Sequence, residues 1–309
     1  MHRTLEITLP PAHTDALSAE LAELEVVIGL TVARGASVKP PGDVLTVHVL
    51  NRGADEVLRR ARAAVPEHDA LSVVTAEATS SISPADHKIV DSDQDEAIWE
   101  EMASGLRHQG RITTNYLLLM ALGGIISTVG LVAEPVPQAV AFIASAIIAP
   151  GFDPMTHLPL GLVLRRWRLV RYGIGSVLAG YAVLVVAAAA TMAVLVAAGE
   201  TSAAHLAANS EVQSLIKPSL GALIVAGTGA LAGVVTMAAF RRSFQAGPLI
   251  ATAFIQAAAL IGAGLAVGHF ELALEGLERF GADWGFIIGL GVPFLWLKQR
   301  FLHRRQPLV

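Results

Sequence analysis

The sequence contains no cysteine. That absence removes disulfides, thiolate metal sites, iron–sulfur clusters and cysteine nucleophiles together, and it leaves the redox compartment unreadable. Charge is also scarce: 16% of the 309 residues are charged and 53% are hydrophobic, too apolar for an average soluble protein. Several chemistry-bearing motifs are missing as well. The chain has no HExxH zinc pair, no GxxxxGK(S/T) loop for ATP-driven transport and no intramembrane serine beside a plausible base. Nor is a second aspartate expected at membrane depth to complete a protease dyad. An enzyme is therefore not expected, and neither is a cofactor, a metal or a nucleic-acid partner. The start, MHRTLEITLPPAHTD, lacks an apolar h-region and a small-residue cleavage site, so no secretory signal is expected and the first domain is placed in the cytoplasm.

What charge there is lies unevenly. Of the 26 acidic residues, 18 fall within the first 111 positions, and beyond them run long apolar stretches punctuated by basic clusters. Two solvents are implied. Residues 1–78 read as a small α+β domain. RTLEITL alternates like a strand, and a helix beginning at His13 or Thr14 carries Leu17, Leu21 and Leu24. VVIGLTVAR and DVLTVHVL read as strands joined by the turn-rich GASVKPPG. ADEVLRRARAAV is a helix and ALSVVTAEA a last strand. The order βαββαβ predicts a ferredoxin-like domain, which serves assembly or ligand sensing; His13, His48 and His68 read as surface or packing residues. Residues 79–111 follow as a linker, SSISPADHKIVDSDQ, and an amphipathic juxtamembrane helix. That helix has Asp93, Asp95, Glu96, Glu100 and Glu101 early and Arg107 and Arg111 late, as the helix dipole prefers.

Residues 112–301 predict a membrane all-α bundle, since about 20 apolar residues span a bilayer. Six spans are expected, at about 116–133, 136–164 with a break, 172–198, 218–240, 246–268 and 283–301, before a tail at 302–309. Arg165, Arg166, Arg168 and Arg171 follow the second span, Arg241 and Arg242 the fourth, and Lys298, Arg300, Arg304 and Arg305 the sixth. Lys217 and Arg279 are the basic residues of the opposite loops, alongside Glu134, Glu200, Glu211, Glu271, Glu275 and Glu278. The positive-inside rule then places both termini in the cytoplasm, in a multi-pass inner-membrane protein. An inverted repeat of spans one to three in spans four to six is permitted by the architecture.

The most informative segment is AIIAPGFDPMTHLPLGL, residues 146–162. Pro150, Pro154 and Pro159, with Gly151, interrupt an otherwise spanning stretch, and each proline removes a donor and obstructs a helical turn. Irregular backbone at this depth is tolerated only beside protein or a water-filled cavity. Asp153 lies in the break, with His157 four residues on. Together they suit proton transfer or cation coordination, although Asp153 also fits the plainer task of capping a second half-helix from just before Pro154. In the fifth span Thr252 and Gln256 share a face; they line a path with the break or bond a neighbouring helix. Gly229 with Gly233, Gly264 with Gly268, and Gly285 with Gly289 have GxxxG spacing, which favours close helix contact and a homo-oligomer.

TTNYLLLMALGGIISTVGLV, followed by AFIASAIIAPGFDPMTHLPLGL, resembles the uncharacterised hydrophobic-domain family of prokaryotic membrane proteins, domain-of-unknown-function family 389. The resemblance rests on the NYLLLM-like start of the first span and an IAPxxxP element, here Ile148, Ala149, Pro150, Pro154 and Met155, and covers roughly residues 93–268. It implies a multi-span membrane domain behind a small N-terminal domain and names no substrate. The chain departs from the family pattern at Asp153, where glycine is usual, and around Gln256 and Ala257, where a proline pair is usual. The function expected is a membrane transporter or channel for a small solute or ion, its path lined by the broken second span and the fifth. The alternative is a non-transporting, membrane-anchored sensor or scaffold acting through the ferredoxin-like domain.

Overall fold

The computed structural model describes residues 2–78, 89–90, 92–93, 97–239 and 253–302. They form two compact units, Met1–Glu101 with Lys298–Val309, and Met102–Leu297.

The first unit runs β1 (His2–Leu9), α1 (Pro11–Ala22), β2 (Val27–Val38), β3 (Pro41–Leu50), α2 (Ala54–Ala64) and β4 (Ser72–Ala78). The strands form one sheet in the order β2-β3-β1-β4, each pair antiparallel. The period-2 pattern explains the core: Leu5, Ile7 and Leu9 of β1 and Leu45, Val47 and Val49 of β3 bury one face against Leu17 and Leu21 of α1 and Val57 and Ala61 of α2. Helix α1 begins two residues before the expected His13, because Pro11 at its first position carries a preset helical φ. The expected turn GASVKPPG is mostly strand. Its ladder skips register between Ala33 and Ser37, where Gly35 adopts φ +61°. Asp43, nearly fully buried, fastens this bulge by accepting the Gly35 N–H at 2.7 Å and Arg34 Nη1 at 3.0 Å. The Gly35 N–H, helped by Thr14 and Arg34, holds the Asp43 carboxyl below its usual range. His48 Nδ1 lies 3.0 Å from the Thr4 hydroxyl; the side chain of His68 lies outside the described residues.

The expected juxtamembrane helix is shorter than its charge pattern suggests, α3 spanning Trp99–Gln109. Asp93 lies outside it and accepts the Asn51 N–H at 2.5 Å. Asp95, Glu96 and most of the linker lie outside the described residues. Within the first unit Glu101 pairs with Arg3 at 2.8 Å. Burial pushes its carboxyl above the usual carboxylate value, against the pull of Arg3.

The second unit is helical: α4 (Thr114–Val132), α5 (Pro135–Ile148), α6 (Phe152–Val163), α7 (Trp167–Ala197), α8 (Ala203–Ala208), α9 (Ser210–Ile216), α10 (Leu220–Ala238), α11 (Phe254–Ala266) and α12 (Phe270–Leu297). Among the described residues α4, α7, α10 and α12 are long and apolar enough to cross a membrane, and the bent pair α5–α6 makes a fifth candidate span. The outward faces are apolar. Leu118, Leu122, Ile125 and Val129 of α4, and Val136, Val140, Ile143 and Ile147 of α5, form exposed stripes at helical spacing, the inverse of a soluble helix and suited to a lipid solvent.

Helix α11, at 13 residues, is shorter than the expected fifth span, and the first part of that span, 246–252, lies outside the described residues. The sixth span begins earlier than expected: the polar stretch read as a loop, with Glu271, Glu275, Glu278 and Arg279, is the first part of α12. The link between α11 and α12 is short because Gly268, at φ +73°, ends α11 and lets the His269 N–H reach the Gly264 carbonyl at 2.8 Å. Neither Pro159 in α6 nor Pro293 in α12 ends its helix. Of the expected tail, 302–309, all but residue 302 lies outside the described residues.

Candidate functional site

Helix α5 ends at Ile148, Ala149–Gly151 are irregular, and α6 leaves at 52°. Of the three prolines expected to break the span, only Pro150 lies in the break. Pro154 falls in the first turn of α6, where its N–H would be an orphan in any helix. Gly151 allows the close approach. A Cβ there would collide with the Tyr181 hydroxyl of α7 and lie 3.1 Å from Ile255 Cδ1 of α11. The next residue, Phe152, stacks 6.1 Å from Phe254, the first residue of α11, and its ring fills the space over Gly233 of α10. The starts of two half-helices, α6 and α11, therefore meet inside the bundle. Each start leaves unsatisfied N–H groups and a partial positive charge.

Asp153 is the second residue of α6 and half-buried. The capping position is Gly151, which offers no side chain, so the expectation that Asp153 caps from just before Pro154 is corrected: its charge sits in the first turn, where the dipole favours an anion. His157 is fully buried, and its Nδ1 lies 2.9 Å from the Asp153 carbonyl oxygen. A carbonyl only accepts, so Nδ1 is the protonated nitrogen. Thr156 donates to the same carbonyl at 2.8 Å. The bond between Asp153 and His157 thus runs through backbone, not as the side-chain pair that helical spacing suggests. The imidazole packs 5.7 Å from Tyr172 and against Gly110 and Gly173.

Gln256 does reach the broken span. Its Nε2 donates to the Phe142 carbonyl of α5 at 3.3 Å, while Oε1 finds no partner among the described residues. Thr252 lies outside those residues.

The residues that sequence reasoning missed are on α12. Asp283, fully buried, is the fourteenth of its 28 residues, and at about 1.5 Å per residue that puts it near the middle of a helix about 42 Å long. It is a second aspartate buried midway along a helix of membrane-spanning length, contrary to expectation. Its Oδ2 accepts the N–H of Ala253, the capping residue of α11, at 3.1 Å, and its Oδ1 lies 3.1 Å from Arg279 Nη2. Arg279 is itself 93% buried, and its Nε and Nη1 find no partner among the described residues. The same holds for the hydroxyl of Tyr181, whose ring packs 4.7 Å from Phe280, and for Trp284 Nε1. One signal could have revealed them: Leu272, Ala273, Gly276, Arg279, Asp283 and Ile287 form a single buried stripe, so the charged pair continues an apolar helical period instead of ending it. A dry, unpaired charge at this depth costs several kcal/mol. This concentration of buried polar atoms marks the candidate site.

Residues 146–288 match the model of the family described as Domain of unknown function (DUF389). This is the family that the sequence resembles. The match starts later than the resemblance suggests, leaving out the NYLLLM-like start of α4. It also ends later, taking in Arg279 and Asp283. None of the curated proteins compared matches this chain.

Proposed function

We propose that the second unit is a transporter or channel for a small solute or ion, with a path bordered by the break at Ala149–Gly151, the start of α11 and the Arg279–Asp283 pair. The observation that carries this reading is the meeting of two half-helix starts, Phe152 and Phe254, amid buried polar side chains. Discontinuous helices at membrane depth are the way many carriers present backbone N–H groups to a solute. The reading takes α4, the bent pair, α7, α10, α11 and α12 as six spans of a cytoplasmic membrane protein, with both termini inside by the distribution of arginine and lysine. Its triplets, α4 to α7 and α10 to α12, each have an interrupted or short middle member, which supports an inverted repeat. Gly281, Gly285 and Gly289 leave an open stripe along α12, a face that suits a second copy. The βαββαβ order with strands β2-β3-β1-β4 supports a ferredoxin-like first unit.

Full-length protein in liposomes tests the reading by flux of small ions and solutes under imposed pH and ion gradients. Flux above that of protein-free liposomes is expected, with Asp153→Asn reducing it by about tenfold as the first-turn charge is lost. Liposomes that pass nothing defeat the transport reading; unchanged flux in the variant removes Asp153 from the path.

A second reading, a sensor or scaffold, is favoured by one observation in the first unit. A cavity of about 270 Å³ lies between α2, β4 and the start of α3, lined by Leu58, Arg62, Leu71, Val73, Thr75 and Glu100. Its size and mixed lining suit a small ligand.

A further inference from the structure

Resting on the transport reading, we infer that the start of α11 and Arg279 form a binding site for a small anion of the carboxylate or oxyanion type, and that Asp283 is the resident carboxylate with which it competes. The argument begins with donors. Helix α11 opens in the interior of the bundle with a capping residue, Ala253, that has no polar side chain. Its start is an electropositive terminus of the sort that holds anions. An independent observation points the same way: Arg279, 93% buried, uses Nη2 toward Asp283 and leaves Nε and Nη1 without acceptors among the described residues. A guanidinium with open N–H groups at this depth calls for acceptor oxygens, and planar oxyanions match its fork. The Tyr181 hydroxyl, buried beside Gly151 and without a partner among the described residues, adds a donor at the adjoining start of α6.

Asp283 shows what chemistry the place accepts. One of its oxygens takes the Ala253 N–H and the other faces Arg279, the two contacts that a formate or acetate group would make. A lipid phosphate is a poor occupant. Asp283 is the middle residue of a helix of membrane-spanning length, so headgroups lie roughly 15 Å away, half the hydrocarbon thickness. The ligand is therefore a free, small anion, drawn from the aqueous phase.

The test uses the full-length protein in zwitterionic nanodiscs, with sodium formate or sodium nitrate titrated against sodium gluconate at constant ionic strength and thermal unfolding as the readout. Formate and nitrate are expected to raise the unfolding temperature saturably, while gluconate, too bulky for the site, does not. Arg279→Lys, which keeps the charge and loses the fork, is expected to weaken the effect about tenfold, and Tyr181→Phe about threefold. Should the lysine variant not fold, the Tyr181→Phe result decides. An unfolding temperature indifferent to formate and nitrate, or equal anion affinity in wild type and both variants, overturns the assignment. The parallel flux measurement separates the two ideas: solute flux without anion stabilisation sinks the site alone, and anion stabilisation that needs Arg279 without any flux sinks the transport reading while the site stands.

Discussion

The two half-helix starts that meet in the second unit solve the same electrostatic problem in different ways. At α6 the anion is local: Asp153 sits in the helix's own first turn, one residue from Phe152. At α11 it is borrowed: Asp283 arrives from another helix, 30 residues along the chain, and brings Arg279 with it. A local carboxylate biases only its own helix, whereas the borrowed one ties α11 to α12 and buries an ion pair. Fold stability should therefore depend far more on the second start than on the first.

Three substitutions break or sharpen that contrast. The largest effect is expected from Arg279→Leu, which strands the Asp283 carboxylate and should cost about 3–5 kcal/mol. Asp153→Asn, losing only a dipole interaction, should cost about 0.3–1 kcal/mol. Thermal unfolding of the two variants in the same nanodiscs measures the ratio; equal losses would mean that the starts are equivalent. Next comes Gly151→Ala. The added Cβ meets the Tyr181 hydroxyl, and overpacking of this kind costs about 1–3 kcal/mol. In a Tyr181→Phe background the loss should shrink, and a loss that persists in full places the strain elsewhere.

An effect as small as that of Asp153→Asn lies in the first unit. Glu56 pairs with Arg59 and, at 2.9 Å, with Arg60, and these bonds, the Arg59 one first, hold its carboxyl at about 2 against an ordinary 4.5. A depressed carboxyl stabilises the folded state above about pH 4.5 and loses that contribution as pH falls toward 2. Because the side chain is about one-third exposed, screening reduces the contribution to roughly 0.5 kcal/mol. Hydrogen exchange of α2 in full-length Glu56→Gln and wild type should differ at pH 6, with the difference shrinking below about pH 4.5 and vanishing only toward pH 2; a constant difference would show that the pairing is not what stabilises α2.

The same contrast explains what the sequence discloses. The break was legible because Pro150, Gly151 and Pro154 are local signals: a missing N–H and a missing Cβ act on the chain where they stand. The position of α1, off by two residues, and the bulge at Gly35 show the limit of such signals, since a proline can start a helix as well as stop one and a glycine can bend a strand without ending it. The Arg279–Asp283 pair was misread for a different reason. Glu271, Glu275 and Glu278 make the start of α12 polar on average, and an average over a window erases the face on which each charge lies. The acids occupy exposed or half-buried positions while Arg279 and Asp283 continue the buried stripe. The partnership of Asp283 with Ala253 was out of reach altogether. It is a tertiary contact, formed only when α11 and α12 fold back on one another at Gly268.

The mid-helix position of Asp283 carries an electrical consequence. A charge brought from either face to that level has crossed about half of the dielectric barrier, so a potential of about 100 mV acts on it with roughly 1 kcal/mol. That is about a fivefold change in occupancy per unit charge. If Arg279 takes an anion as inferred above, that occupancy would read the voltage across the bilayer, loading more readily from one side of an energised membrane than from the other.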